Sequence, residues 1–108
     1  MTPEGAVKRD IRNWLLAHGL MSAGAQIVPP ANNGWFFAPQ NNGLGVSGIP
    51  DVVGCIGPNA RFFAIEAKAK GGKPTANQLM RHAEIRAVNG IVILAYSVAD
   101  LEPLKEYL

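Results

Sequence analysis

At 108 residues the chain can bury one hydrophobic core but is short for two, so residues 1–108 are read as a single domain. With 48% hydrophobic and 17% charged residues it is a folded globule, not a disordered segment. Its single cysteine excludes an internal disulfide, and no apolar run approaches the ~18 residues of a membrane span. With no signal-peptide core at the N-terminus, the expectation is a soluble, cytoplasmic protein. The net charge of +2 is unevenly spread: residues 1–99 hold nine Lys and Arg against five acids, while Asp100, Glu102 and Glu106 crowd the end. Lys8, Arg9 and Arg12 form one basic cluster, and Lys68, Lys70 and Lys73 another. Either is a candidate footprint for phosphates or an ordinary solvated face.

In chain order, Thr2 caps a first helix and Pro3 suits its first turn. Val7, Ile11, Trp14 and Leu15 recur at helical spacing, and Gly19 closes the helix. A short strand is predicted over 25–28, before Pro29 and Pro30. The loop 29–47 is rich in Asn, Gly and Pro. Its Trp35-Phe36-Phe37 island reads as one strand of a hairpin. Its aromatics are candidates for core, for a subunit interface, or for stacking on unpaired bases.

The runs DVVGCI (51–56) and RFFAIEAKA (61–69), joined by GPNA, predict a β-hairpin. A helix then starts at the cap Thr75, with Leu79, Ala83 and Ala87 as its apolar stripe and Gly90 at its end. The apolar run IVILAYS predicts a strand buried on both faces. Ser97 caps a last short helix, interrupted at Pro103. The order of elements implies a small α/β fold with a central mixed β-sheet flanked by helices.

The second hairpin strand is unusual for its charges. Alternation puts Phe62, Ala64, Glu66 and Lys68 on one face, and Phe63, Ile65, Ala67 and Ala69 on the core face. Asp51, at the start of the preceding strand, falls opposite the end that carries Glu66 and Lys68. The bland reading of Glu66 and Lys68 is a surface pair at a strand end. The other reading is chemical. Two close carboxylates without a counter-charge are unfavourable, and a divalent cation resolves the conflict. Oxygen donors in this number suit Mg²⁺ or Mn²⁺, with the Ala67 carbonyl as a further ligand. Lys68 then orients an attacking water or stabilises charge on a phosphate.

The stretch GIPDVV, a spacer, FFAIEAKAKGGKPTANQ and then GIVILAYS resembles the VRR-NUC family of the PD-(D/E)XK nuclease superfamily, in its restriction-endonuclease-like fold. The resemblance covers residues 48–97 and, more weakly, the first helix. It implies Asp51 and Glu66 as metal ligands, Lys68 as the catalytic lysine and Gln78 as the glutamine of the following helix. Gln78 also completes a capping box with Thr75. Glu4 falls where many superfamily members carry a further acid, though it also favours the positive end of a helix dipole. Lys70, Lys73, Lys8 and Arg12 are the candidate DNA contacts. His18 and His82 have no metal-ligand or catalytic spacing and are read as structural or surface residues.

The resemblance implies an Mg²⁺-dependent endonuclease that leaves a 5′-phosphate and a 3′-hydroxyl. Stand-alone members of the family resemble junction-resolving enzymes, which implies branched or four-way DNA as substrate. A homodimer supplies two active sites related as the arms of a junction are. The Trp35–Phe37 island and the apolar side of the first helix around Trp14 are its candidate interface. The alternatives are a non-cleaving nucleic-acid-binding module of the same fold and a protein-interaction subunit. Metal-dependent cutting separates the first from the nuclease, and salt-sensitive DNA binding separates the second.

Overall fold

The computed structural model describes residues 1–25, 33–40 and 45–108. Helix α1 runs Pro3–Ala17, with Pro3 in its first turn and the Thr2 hydroxyl accepting the Gly5 N–H at 3.0 Å. One face buries Ile11 and Leu15 completely, and Val7 and Trp14 pack against the same core. Gly19, at φ +85°, takes the left-handed conformation that ends the helix. Strand β1 (Leu20–Ser22) follows directly and pairs in parallel with β2 (Gly34–Phe37). The strand expected over 25–28 falls almost wholly outside the described residues, and Ala25 is not in a strand.

The predicted hairpin forms. Strand β3 (Val52–Ile56) pairs antiparallel with β4 (Arg61–Ala67), with Val52 opposite Ile65 and Ile56 opposite Arg61. Strand β2 also lies antiparallel to β3. Helix α2 (Ala76–Ala87) connects β4 to the parallel strand β5 (Ile91–Ala95), so the mixed sheet has the order β1-β2-β3-β4-β5. Asn89, with φ +66°, makes the left-handed turn after α2; the sequence had pointed to Gly90. The strand IVILA was expected to be buried on both faces, yet β5 is an edge strand. Ile93 and Ala95 are buried, while Ile91, Val92 and Leu94 are only partly covered.

The last element is a 3₁₀ helix, Val98–Tyr107, that continues through Pro103. At three residues per turn, positions three apart stack on one side. That places Leu101, Leu104 and Tyr107 together against the core. The Asp100 carboxylate starts the element by accepting the N–H groups of Tyr96 at 2.8 Å and Ser97 at 3.3 Å.

The core lies on one face of the sheet. Leu20, Phe36, Val52, Ile56, Phe63, Ile65, Ala67, Ile93 and Ala95 meet α1 and the 3₁₀ helix there. Phe63, Ile65 and Ala67 face the core as alternation requires. Among the described residues, α2 covers the opposite face beside β5 and over Glu66 of β4. Trp35, Phe37 and Phe62 are exposed on it, and the Trp35 and Phe37 rings tilt together at 5.4 Å. Much of the apolar side of α1 is therefore used inside the fold, with Val7 and Trp14 partly buried against the core, and Phe36 is core. Only the outward half of the aromatic island remains as surface. Among the described residues, no helix is long and apolar enough to cross a membrane.

Candidate active site

The site begins with a close approach of two backbones. Gly48 lies at φ +83°, and a Cβ there would fall 2.5 Å from the Asn77 carbonyl and 2.8 Å from the Gln78 nitrogen. Only glycine lets the segment before Asp51 rest on the first turn of α2. The Asn77 side chain fastens the two by donating to Ser47 Oγ at 2.8 Å. Pro50 is buried next, and Asp51 emerges opposite the end of β4. Its Oδ2 accepts the Ala67 N–H at 2.8 Å, which continues the hairpin by a side chain where the ladder ends.

Glu66 points to the other side of β4 from the core and is nevertheless only 1% exposed. Helix α2 buries it with two polar side chains one turn apart. Gln78 Nε2 donates to Oε2 at 3.3 Å, and His82 Nε2 lies 3.2 Å from Oε1. Gln78 fills both of the roles read from sequence. Its Oε1 accepts the Thr75 N–H at 2.8 Å, and Thr75 Oγ1 accepts the Gln78 N–H at 3.2 Å, forming the capping box. Because Thr75 N–H is a donor, the amide oxygen must face it, which turns the amide nitrogen toward Glu66.

Burial, a hydrogen bond to Asp51 and the Asp51 charge push the Glu66 carboxyl up to about 8, only partly offset by Lys68. His82 moves the opposite way: burial, with the charges of Arg86 and Lys68, lowers its pKa. Both shifts favour the uncharged forms of the two groups.

On the exposed side, Lys8 Nζ lies 3.4 Å from Asp51 Oδ1 and 3.4 Å from Glu4 Oε2. Burial alone would lower the Lys8 pKa; the Asp51 and Glu4 carboxylates outweigh it and raise it. Glu4 thus borders the site through Lys8. Among the described residues, no three His, Cys, Asp or Glu side chains converge as a metal cluster, so the acidic centre is the Asp51–Glu66 pair. Beside it a groove of about 260 Å³ has an apolar floor of Phe36, Ala38 and Val52, with Lys8, Arg9, Arg12, Ser22 and Asp51 around it.

Lys68 continues from β4, its N–H donating to the Ala95 carbonyl at 3.0 Å. Its ammonium makes no ion pair among the described residues. The strand ends at Ala67, and Lys70 lies in a turn with Gly71 at φ +84°. Alternation therefore does not carry Lys70 to the Glu66 face. Lys70 and Lys73 are exposed, and Tyr96 Oη, donating to the Gly72 carbonyl at 2.8 Å, ties down their loop.

A solved structure described as a VRR_NUC domain matches this chain with a TM-score of 0.68. The match covers 99% of this chain and 98% of that one, at 23% identity. The chain has the VRR_NUC fold. No family model matches the sequence. No curated protein matches it either.

Within the VRR_NUC fold of this chain, Asp51, Glu66 and Gln78 converge and Lys68 borders them. Glu4 and Lys8 reach the site from α1, and Arg12 stands over the adjoining groove. Lys70 and Lys73 stand on the exposed turn. His82, read from its sequence context as a structural or surface residue, is buried against Glu66. The stripe Leu79, Ala83 and Ala87 was expected to face inward, but all three are exposed, Leu79 by 53%. The one buried residue of α2 is His82. The available signal was its spacing: four residues after Gln78, it shares that residue's helix face. His18 is structural as expected, stacked on Trp14 at 3.8 Å with Nδ1 2.7 Å from the Trp14 carbonyl.

Proposed function

We propose that the protein is a divalent-metal-dependent nuclease that hydrolyses DNA phosphodiester bonds at the Asp51–Glu66 pair. The carrying observation is Glu66, a buried carboxyl beside Asp51 that is pushed up to about 8. Two neighbouring carboxylates, one of them buried and pushed toward its protonated form, suit a hard dication with oxygen ligands. The donors therefore fit Mg²⁺ or Mn²⁺. Asp51, Glu66 and the Ala67 carbonyl would hold the ion, which supplies Lewis-acid polarisation of a phosphate.

The remaining roles belong to the chain itself. The Lys68 ammonium stabilises charge developing on the scissile phosphate and orients the attacking water for in-line displacement. Gln78 fixes one oxygen of Glu66. Lys8, Arg9 and Arg12 line a groove that leads to Asp51 and suits the phosphates of the bound strand. Lys70 and Lys73, exposed on the turn after β4, are further candidate phosphate contacts, and Glu4 holds Lys8 near the pair.

The finer reading is a homodimer acting on branched or four-way DNA. The uncovered sheet face bearing Trp35, Phe37 and Phe62 is the surface available for pairing. Duplex, nicked, flapped and four-way DNA, incubated with the protein with and without Mg²⁺ or Mn²⁺, test both levels. Metal-dependent cutting that is lost in Asp51→Ala and Glu66→Ala, with far-UV circular dichroism unchanged, is the expected result. Cutting in EDTA, or undiminished cutting by either variant, refutes the assignment. Equal cutting of linear and four-way DNA by a monomer refutes only the junction reading.

A further inference from the structure

Helix α2 presents an inverted pattern. Its apolar residues Leu79 and Met80 face solvent, and its one buried side chain is an imidazole that is 2% exposed. Burying a polar ring costs free energy unless it is hydrogen-bonded, and a leucine would fill the space without that cost. The partner that offsets the cost is Glu66 Oε1, 3.2 Å from His82 Nε2. Local patterning is broken in this way where a side chain serves the site more than the core.

The two contacts to Glu66 are complementary. Gln78 takes Oε2 and His82 takes Oε1, so each oxygen of the carboxyl has its own partner. Gln78 is locked by the capping box, and His82 is locked by burial. A carboxyl held at both oxygens cannot rotate about its last bond. It stays turned toward Asp51, its neighbour across the hairpin.

We propose that His82 is a positioning residue: its Nε2–H holds Oε1 of Glu66, so that the carboxylate is pre-oriented to receive a divalent cation with Asp51. The inference rests on the nuclease-site reading above. Partners that orient a metal's ligands typically set affinity by about 10- to 100-fold. They do so without touching the metal.

Direct Mn²⁺ binding, measured by electron paramagnetic resonance on the full chain without DNA, tests this. His82→Leu keeps the bulk and removes the donor; His82→Gln keeps an N–H donor at similar reach. The expected result is about a 10- to 100-fold loss of Mn²⁺ affinity in His82→Leu, and substantial recovery in His82→Gln. Should His82→Leu not fold, His82→Ala with and without free imidazole gives the same reading, with imidazole restoring Mn²⁺ affinity. Wild-type Mn²⁺ affinity in His82→Leu, or no rescue by Gln or by imidazole, overturns the positioning role alone. A wild-type protein that binds no Mn²⁺ overturns the metal-site reading and the positioning role together.

Discussion

Glu66→Gln should stabilise the metal-free protein, and only at the alkaline end. The Glu66 carboxyl moves from an ordinary value of 4.5 to about 8 on folding, chiefly through burial, then through Asp51. Below about pH 4.5 it is protonated in both states and contributes no pH dependence. Between there and about 8 the folded form keeps a proton that the unfolded chain has lost. Stability therefore falls as pH rises, by up to ~1.4 kcal/mol per pH unit for one proton. The two values set a ceiling of ~5 kcal/mol at pH 8 and above. Water penetration and local relaxation reduce what is realised, so about half of it is expected.

The amide has the shape of the carboxyl and can accept from Gln78 and bond His82, but it cannot ionise. His82 works in the opposite sense below its ordinary range, because its lowered pKa makes stability rise with pH there. The two proteins are therefore compared at each pH. Urea unfolding in EDTA, followed by circular dichroism from pH 5 to 8.5, should show equal stability near pH 5. By pH 8 the variant should lead by ~2–3 kcal/mol, equivalent to roughly 10 °C or more in Tm for a domain of this size. Millimolar Mg²⁺ should restore the wild type and leave the variant unmoved. Superimposable curves for the two proteins across the range would refute the argument that Glu66 is a strained carboxyl.

Three further outcomes follow from the same geometry. Lys68→Ala should slow single-turnover cleavage on the order of 100-fold, as expected for a lost charge-stabilising donor, and Lys70→Ala by far less. Equal small losses would move the lysine role elsewhere. Gly48→Ala places a side chain at φ +83° and against the Asn77 backbone. It should cost at least ~1–2 kcal/mol in urea unfolding, and cleavage should fall further than stability alone explains. An unchanged urea midpoint would show that the contact relaxes freely. Asp51→Ala should remove metal-dependent cutting while keeping the circular dichroism spectrum, and a normal rate would exclude Asp51 as a ligand.

The parts legible in the sequence were those specified by nearby residues. Thr2 with Pro3 and Thr75 with Gln78 marked both helix starts, and alternation in β4 assigned Phe63, Ile65 and Ala67 to the core. The Asp51–Glu66 opposition followed from hairpin geometry alone. What stayed hidden was set by distant chain. A three-residue strand such as Leu20–Ser22 has no pattern of its own and exists because β2 pairs with it. The exposed edge position of β5 depends on sheet order, which no local window contains. On α2, the spacing of Leu79, Ala83 and Ala87 suggested a core face. The fold instead turned Gln78 and His82 inward, because a buried carboxyl needed partners more than the core needed another methyl group.

Lys8 has a single ammonium, and the structure spends it on Asp51 and Glu4. On the nuclease reading, that makes the resting site its own antagonist. An arriving dication repels the ammonium and frees it for a backbone phosphate; a phosphate that captures it returns the full negative charge of Asp51 to the dication. Each guest thus clears the way for the other, and linkage makes the gain equal in both directions. Mn²⁺ titrations with and without a non-cleavable duplex should show mutual tightening, and Lys8→Met should weaken it. If the affinities are independent in the wild type, the tether is idle. If they are coupled, metal and DNA fill the site together rather than one at a time.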